Sequence, residues 1–232
     1  MSNSASCANR GVNLAPRDKS KAATVASKPK HAASAQLKSV QQPGVAPHNL
    51  TVFTVGHSTR SIEEFLSILE THGVKRLVDV RTIPKSRRVP QFNSDALAIS
   101  LQGRGIDYVH LQNLGGLRHA RKDSVNLGWR NASFRGYADY MATDEFRAGL
   151  DRLLQLAGEK RTAIMCAEAV PWKCHRSLIG DALLVRGVQV EDILSATSLR
   201  KHELTSFANV DGLDVSYPAE SESPQQAKLS LS

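Results

Sequence analysis

Cysteine is scarce in this chain: Cys7, Cys166 and Cys174 are the three in 232 residues. An odd count without regular spacing excludes a disulfide framework and points to a reducing, cytoplasmic setting. No apolar run approaches the roughly 18 residues of a membrane span, and no apolar leader is evident, so neither a membrane association nor secretion is expected. Acidic residues are nearly missing from the first 49 positions, which hold seven Lys/Arg against Asp18 alone. Large apolar residues are also rare there, so the stretch has little to bury against its ordering entropy. Residues 1–49 are predicted to be a disordered basic tail, and 211–232 a loose polar end.

What remains is close to neutral. The formal net charge of +8 comes mostly from the tail, which leaves 23 basic and 21 acidic residues for the rest. The exception is Arg81–Arg135, with ten basic residues and three acids. A basic stretch of this kind favours an anionic partner: a small anionic ligand first, nucleic acid as the alternative.

Between the tails, strand and helix patterns alternate. Leu50–Val55, Arg76–Val80, Ile106–His110, Arg161–Cys166 and Val188–Leu194 are short apolar, β-branched runs that read as strands. Ser61 caps a helix, with Glu64 completing a capping box and Gly73 ending it. Ser94 starts a second helix that stops at Gly103 or Gly105. Thr143 caps another, and a last one runs from Cys174 to about Arg186. The segment holding Gly115, Gly116, Gly128 and Gly136 reads as a long loop. The alternation implies α/β class: a single three-layer domain over residues 50–210, with a mostly parallel sheet of about five strands and helices on both faces.

Ligands of open parallel sheets bind beyond the carboxyl ends of the strands. That edge gathers His57 and Ser58 after the first strand, Asp79 and Arg81 at the second, His110 at the third, and Cys166 and Glu168 at the fourth. The run from Met165 to Arg176 is the strongest local motif. Cys166 ends a buried strand, and Cys174, His175 and Arg176 open a helix whose free N–H groups attract anions. A thiolate is favoured beside such groups. Cys166 is therefore the expected nucleophile, His57 or His175 the acid/base, and Glu168 the orienting group or base. Arg81 and Arg176 would clamp an anion, with Ser58, Asp79 and Cys174 completing the ligand site. A competing chemistry is metal binding by Cys166, Cys174, His175 and His57, although the two cysteines lie eight residues apart and form no Cys-x2-Cys knuckle. Trp129, Phe134 and Tyr137 are candidate stacking residues for the nucleic-acid alternative. The residues name no cofactor and no oligomeric state.

Taken as an ordered set, Gly56-His57-Ser58, Asp79-Val80-Arg81 with Pro84 and Ser86, Leu114-Gly115-Gly116, and Cys166-Ala167-Glu168 with Cys174-His175-Arg176 resemble the bacterial family catalogued as domain of unknown function 488. The resemblance covers roughly Phe53 to Leu204 and implies the α/β fold and the strand-end site. The Asp79–Arg81 strand end and the cysteine leading into an arginine-bearing helix also resemble rhodanese-like and cysteine-phosphatase loops. Here, however, Arg176 follows Cys166 by ten residues rather than six.

Overall fold

The computed structural model describes residues 50–219. The predicted tail over 1–49 and the last residues of the chain lie outside that range. The sheet has six strands. Thr51–Gly56 (β1), Arg76–Asp79 (β2), Asp107–His110 (β3), Thr162–Cys166 (β4) and Gln189–Ile193 (β5) are parallel, and Leu199–Lys201 (β6) is added antiparallel at the edge. The order across the sheet is β3-β2-β4-β1-β5-β6.

Side chains alternate between the two faces of the strands, as the two-residue period requires. Phe53, Val55, Leu77, Ala163 and Met165 pack beneath Ile62–Thr71 (α1) and Ser94–Gln102 (α2), together with Phe65, Leu69, Leu97 and Leu101. Val52, Val78, Val80 and Ile164 face the other layer, built from Ala132–Met141 (α3), Asp144–Glu159 (α4) and Arg176–Leu184 (α5). The fold is thus a three-layer α/β domain. No helix among the described residues is long and apolar enough to cross a membrane.

Helix ends follow local chemistry. Ser61 Oγ accepts the Glu64 N–H at 3.1 Å, but the Glu64 carboxylate pairs with Arg60 at 3.2 Å, so only half of the expected capping box forms. Thr143 Oγ1 accepts the Phe146 N–H. Gly73 and Gly187 take positive φ just beyond their helices, as left-handed C-terminal caps do.

Three features depart from the sequence reading. Helix α3 lies inside the segment read as loop. Gly136 masks it, but that glycine is there because the 118–120 backbone crosses the helix so closely that a Cβ would lie 2.5 Å from the His119 carbonyl carbon. Second, the domain does not end near Asp211. Asn209–Asp211 (β7) and Asp214–Ser216 (β8) form a hairpin, and Tyr217 beyond it is fully buried with its hydroxyl on Asp181 at 2.8 Å. Third, β6 is exposed along its whole length and has no hydrophobic period to reveal it.

Candidate functional site

The connection after β2 leads towards β3, whereas the connection after β4 crosses β1 to reach β5. The two chains diverge between β2 and β4, and an open sheet forms its binding crevice at such a switch point. A cavity of about 330 Å3 lies there, lined by Arg81 and Thr82 after β2 and by Cys166, Glu168, Lys173, Cys174 and His175 after β4. Gly116, Leu117 and Phe134 close its far side.

At its base two thiols and an imidazole converge. Cys166 Sγ is 4.0 Å and Cys174 Sγ 3.5 Å from His175 Nδ1, and the three donor atoms lie within 4.8 Å of one another. The imidazole is held from three directions. Its Nε2 is 2.9 Å from the Val80 carbonyl oxygen. Since a carbonyl only accepts, Nε2 carries the proton of the neutral ring and the Nδ1 lone pair faces the sulfurs. Tyr137 packs against one side, ring centroids 5.0 Å apart, and Gly116 lies so close on another that a Cβ there would be 2.4 Å from Nδ1. His175 is the residue preceding α5, and the Arg176 N–H at the helix start points to Cys174 Sγ at 3.5 Å.

The two thiols are unequal. A hydrogen bond to Cys174 and burial push the Cys166 thiol up to about 12, against the influence of His175. Burial also opposes ionisation of Cys174. The hydrogen bond from Cys166, the Arg176 charge and the Arg176 N–H outweigh it and bring Cys174 down to about 6. The two titrate as a pair, and the Arg176 N–H at the helix start favours ionisation of Cys174, whereas the sequence reading placed the nucleophile at Cys166.

Of the other expected site residues, Arg81 and Glu168 line the cavity, while Asp79, His57, Ser58 and Arg176 lie behind its wall. Asp79, fully buried, receives Arg81 Nε at 2.9 Å and an Arg81 terminal nitrogen at 2.6 Å, and the Tyr108 hydroxyl donates to it at 2.8 Å. Arg81 also donates to the Phe92 carbonyl at 2.8 Å, so most of its donors are spent on the protein. His57 is 2 % exposed and stacks on Phe92. Its Nδ1 donates to the Ser58 carbonyl, and its Nε2 faces an Arg81 nitrogen at 3.4 Å. Burial, outweighing the Ser58 hydrogen bond, holds its pKa at about 4. It stands outside the thiol cluster, which corrects the four-residue metal set expected from the sequence. Ser58 supplies that carbonyl from a positive φ of 50° and does not line the cavity.

Arg176 is 1 % exposed and directs its guanidinium to Thr54 Oγ1 at 3.3 Å and the Glu168 carbonyl at 2.5 Å. It ties the 167–175 loop to β1 instead of opening to a ligand, so no tight anion loop joins Cys166 to Arg176. The Glu168 side chain is exposed at the cavity rim, and the His110 ring meets the Arg81 carbonyl at 2.7 Å. Lys173, Phe134 and Gly116 were not assigned to the catalytic or ligand-binding set from sequence. Lys173 lies within the Cys-His-Arg motif, and Gly116 lies in the segment read as a long loop.

The fold and site define an α/β protein with a buried cysteine–histidine cluster at a sheet switch point. The chain belongs to the family described as domain of unknown function DUF488, whose model matches residues 61–183. That match spans the chain from the cap of α1 into α5 and includes Arg81, Cys166, Cys174 and His175. No curated protein and no solved structure matches the chain.

Proposed function

We propose that this protein is an enzyme acting on a small anionic or nucleotide-like ligand, and that its centre is a soft divalent metal ion held by Cys166, Cys174 and His175. The observation that carries the reading is the convergence of the two sulfurs and Nδ1. Tetrahedral zinc, with Zn–S near 2.3 Å and Zn–N near 2.1 Å, separates sulfur and nitrogen ligands by roughly 3.6 Å. The spacings of 3.5 and 4.0 Å bracket that value. The Val80 carbonyl fixes the tautomer that leaves Nδ1 free, as partners of metal-bound histidines do. A cation between the sulfurs would also relieve the coupling that keeps Cys166 protonated.

Cys166, Cys174 and His175 would supply three protein ligands to such an ion, the number found in catalytic rather than structural zinc sites. A metal there supplies Lewis-acid activation of a bound water or ligand oxygen. Around it, Lys173 provides charge for an anion, Glu168 provides a base at the rim, and the buried Asp79–Arg81–His57 group fixes the β2 side of the cavity. Free thiols in such a site belong to a reducing compartment, so the reading is cytoplasmic.

A second reading rests on the Arg176 N–H at Cys174 Sγ: a metal-free enzyme with Cys174 as thiolate nucleophile and Cys166 as its proton donor. Native mass spectrometry separates the two. A metal ion removed by chelator supports the first. A metal-free chain carrying a covalent adduct on Cys174 supports the second.

A further inference from the structure

The cavity over the cluster is one part of a longer groove. It adjoins a second space of about 640 Å3 through Phe134, Glu168 and Lys173. That space adjoins a third, of about 390 Å3, through Trp129 and Trp172. A small anion needs only the first. The remainder is walled by aromatic rings: Trp129 and Phe134 pack with centroids 4.7 Å apart, and Trp172 is 51 % exposed with Arg200 over its face. The Trp129 Nε1–H is buried without a hydrogen-bond partner among the described residues. Tyr137, expected to stack, is fully buried with its hydroxyl on the Leu114 carbonyl and takes no part.

Basic side chains follow the same path. Lys173 stands where the first two spaces meet, Arg130 lines the second and Arg200 the third. Of the acids, Asp192 is already engaged by Thr54 and His202, which leaves Glu168 and Glu203. Lys85, Arg87 and Arg88 are exposed on the segment that follows Arg81, with no acidic partner among the described residues. Trp129 is held by Phe134, Phe207 and Tyr217, so the exposed Trp172 offers the most accessible ring, and aromatic side chains interspersed with cations along one path suit a chain whose bases stack while its phosphates meet positive charge.

We infer that the site draws its substrate from single-stranded nucleic acid, with one nucleotide in the cavity over Cys166, Cys174 and His175 and its neighbours along Phe134, Trp129 and Trp172. The inference rests on the reading of that cluster as the reactive centre and adds the substrate class. A duplex is excluded as the reacting form, because thiols exposed by only 7 % and 3 % are reached by an unpaired base and not by a stacked one.

The chain's two tryptophans both line this groove, so intrinsic fluorescence reports on it directly. The full-length protein is titrated with pentathymidylate, pentauridylate, thymidine monophosphate and inorganic polyphosphate, and its metal content is measured in the same samples. Quenching by either pentanucleotide, weakened by salt and reduced about tenfold in affinity by Trp172→Ala, is expected. The exposure of Trp172 makes that variant safe to fold. Polyphosphate binding as tightly as the pentanucleotides, the monophosphate matching the pentamers, or Trp172→Ala binding like the wild type would each overturn the inference. Metal without quenching removes the nucleic-acid substrate and leaves the metal centre standing. Quenching without metal supports the groove and removes the metal reading instead.

Discussion

Replacing Asp79 with Asn tests the support beneath the cavity. The carboxylate receives Arg81 through side-chain contacts of 2.6, 2.9 and 3.2 Å and the Arg81 backbone N–H at 3.0 Å. Asp79 is fully buried and Arg81 is 8 % exposed. Asn keeps the shape but removes the charge, leaving a guanidinium with the Phe92 carbonyl and the His57 ring. Breaking one side of a buried pair costs about 3–5 kcal/mol. For a domain of this size that corresponds to a fall of roughly 6–20 °C in melting temperature. Removing both charges with Asp79→Leu and Arg81→Met should cost much less, because no buried charge is left unpaired. Urea unfolding followed by tryptophan fluorescence gives both values. If Asp79→Asn lies within about 0.5 kcal/mol of wild type, or if the double variant is as unstable as the single one, the pair does not hold the cavity as argued.

Other outcomes follow from the same geometry. Burial opposes His202 protonation, but hydrogen bonds to Asp181 and Asp192 raise its pKa from 6.5 to about 9. Its contribution, on the order of 3 kcal/mol, should be complete below pH 6.5 and lost as pH rises through 9. Denaturant midpoints between pH 6 and 10 measure the fall, and His202→Gln should flatten it. In chelator-treated protein at pH 7, iodoacetamide should modify Cys174 before Cys166, as peptide mapping would reveal; the opposite order would exchange their roles. Gly116→Ala should displace the His175 ring, lowering metal content while costing about 1–3 kcal/mol of stability. Unchanged metal content would show that the ring tolerates the added methyl group.

The sheet and most helices were legible because β1, β2 and β4 are buried runs and α1 and α4 carry capped apolar stripes. Strands β6 and β7 were not, since every residue in them is exposed and burial is what writes a pattern into sequence. Helix α3 was hidden by Gly136, whose purpose lies in the 118–120 segment, remote from the helix in sequence. At the site, Cys166, Cys174 and His175 could be singled out from one continuous motif. The direction of each side chain could not. Arg176 read as an anion clamp from its place in the first helical turn, but its partners Thr54 and the Glu168 carbonyl come from two other segments. His57 read as a base from its strand end, and only packing on Phe92 and Arg81 explains why it stays neutral and buried. The low pKa of Cys174 likewise depends on a neighbouring thiol brought close by the fold.

The most direct test of the metal centre is the metal content of freshly purified protein, by inductively coupled plasma and native mass spectrometry on the same sample. The account predicts about one soft divalent ion per chain, absent from Cys166→Ser, Cys174→Ser and His175→Ala and retained in His57→Ala. A wild-type chain free of metal after purification in zinc-supplemented buffer, or metal that survives loss of Cys174 and His175 together, would contradict it.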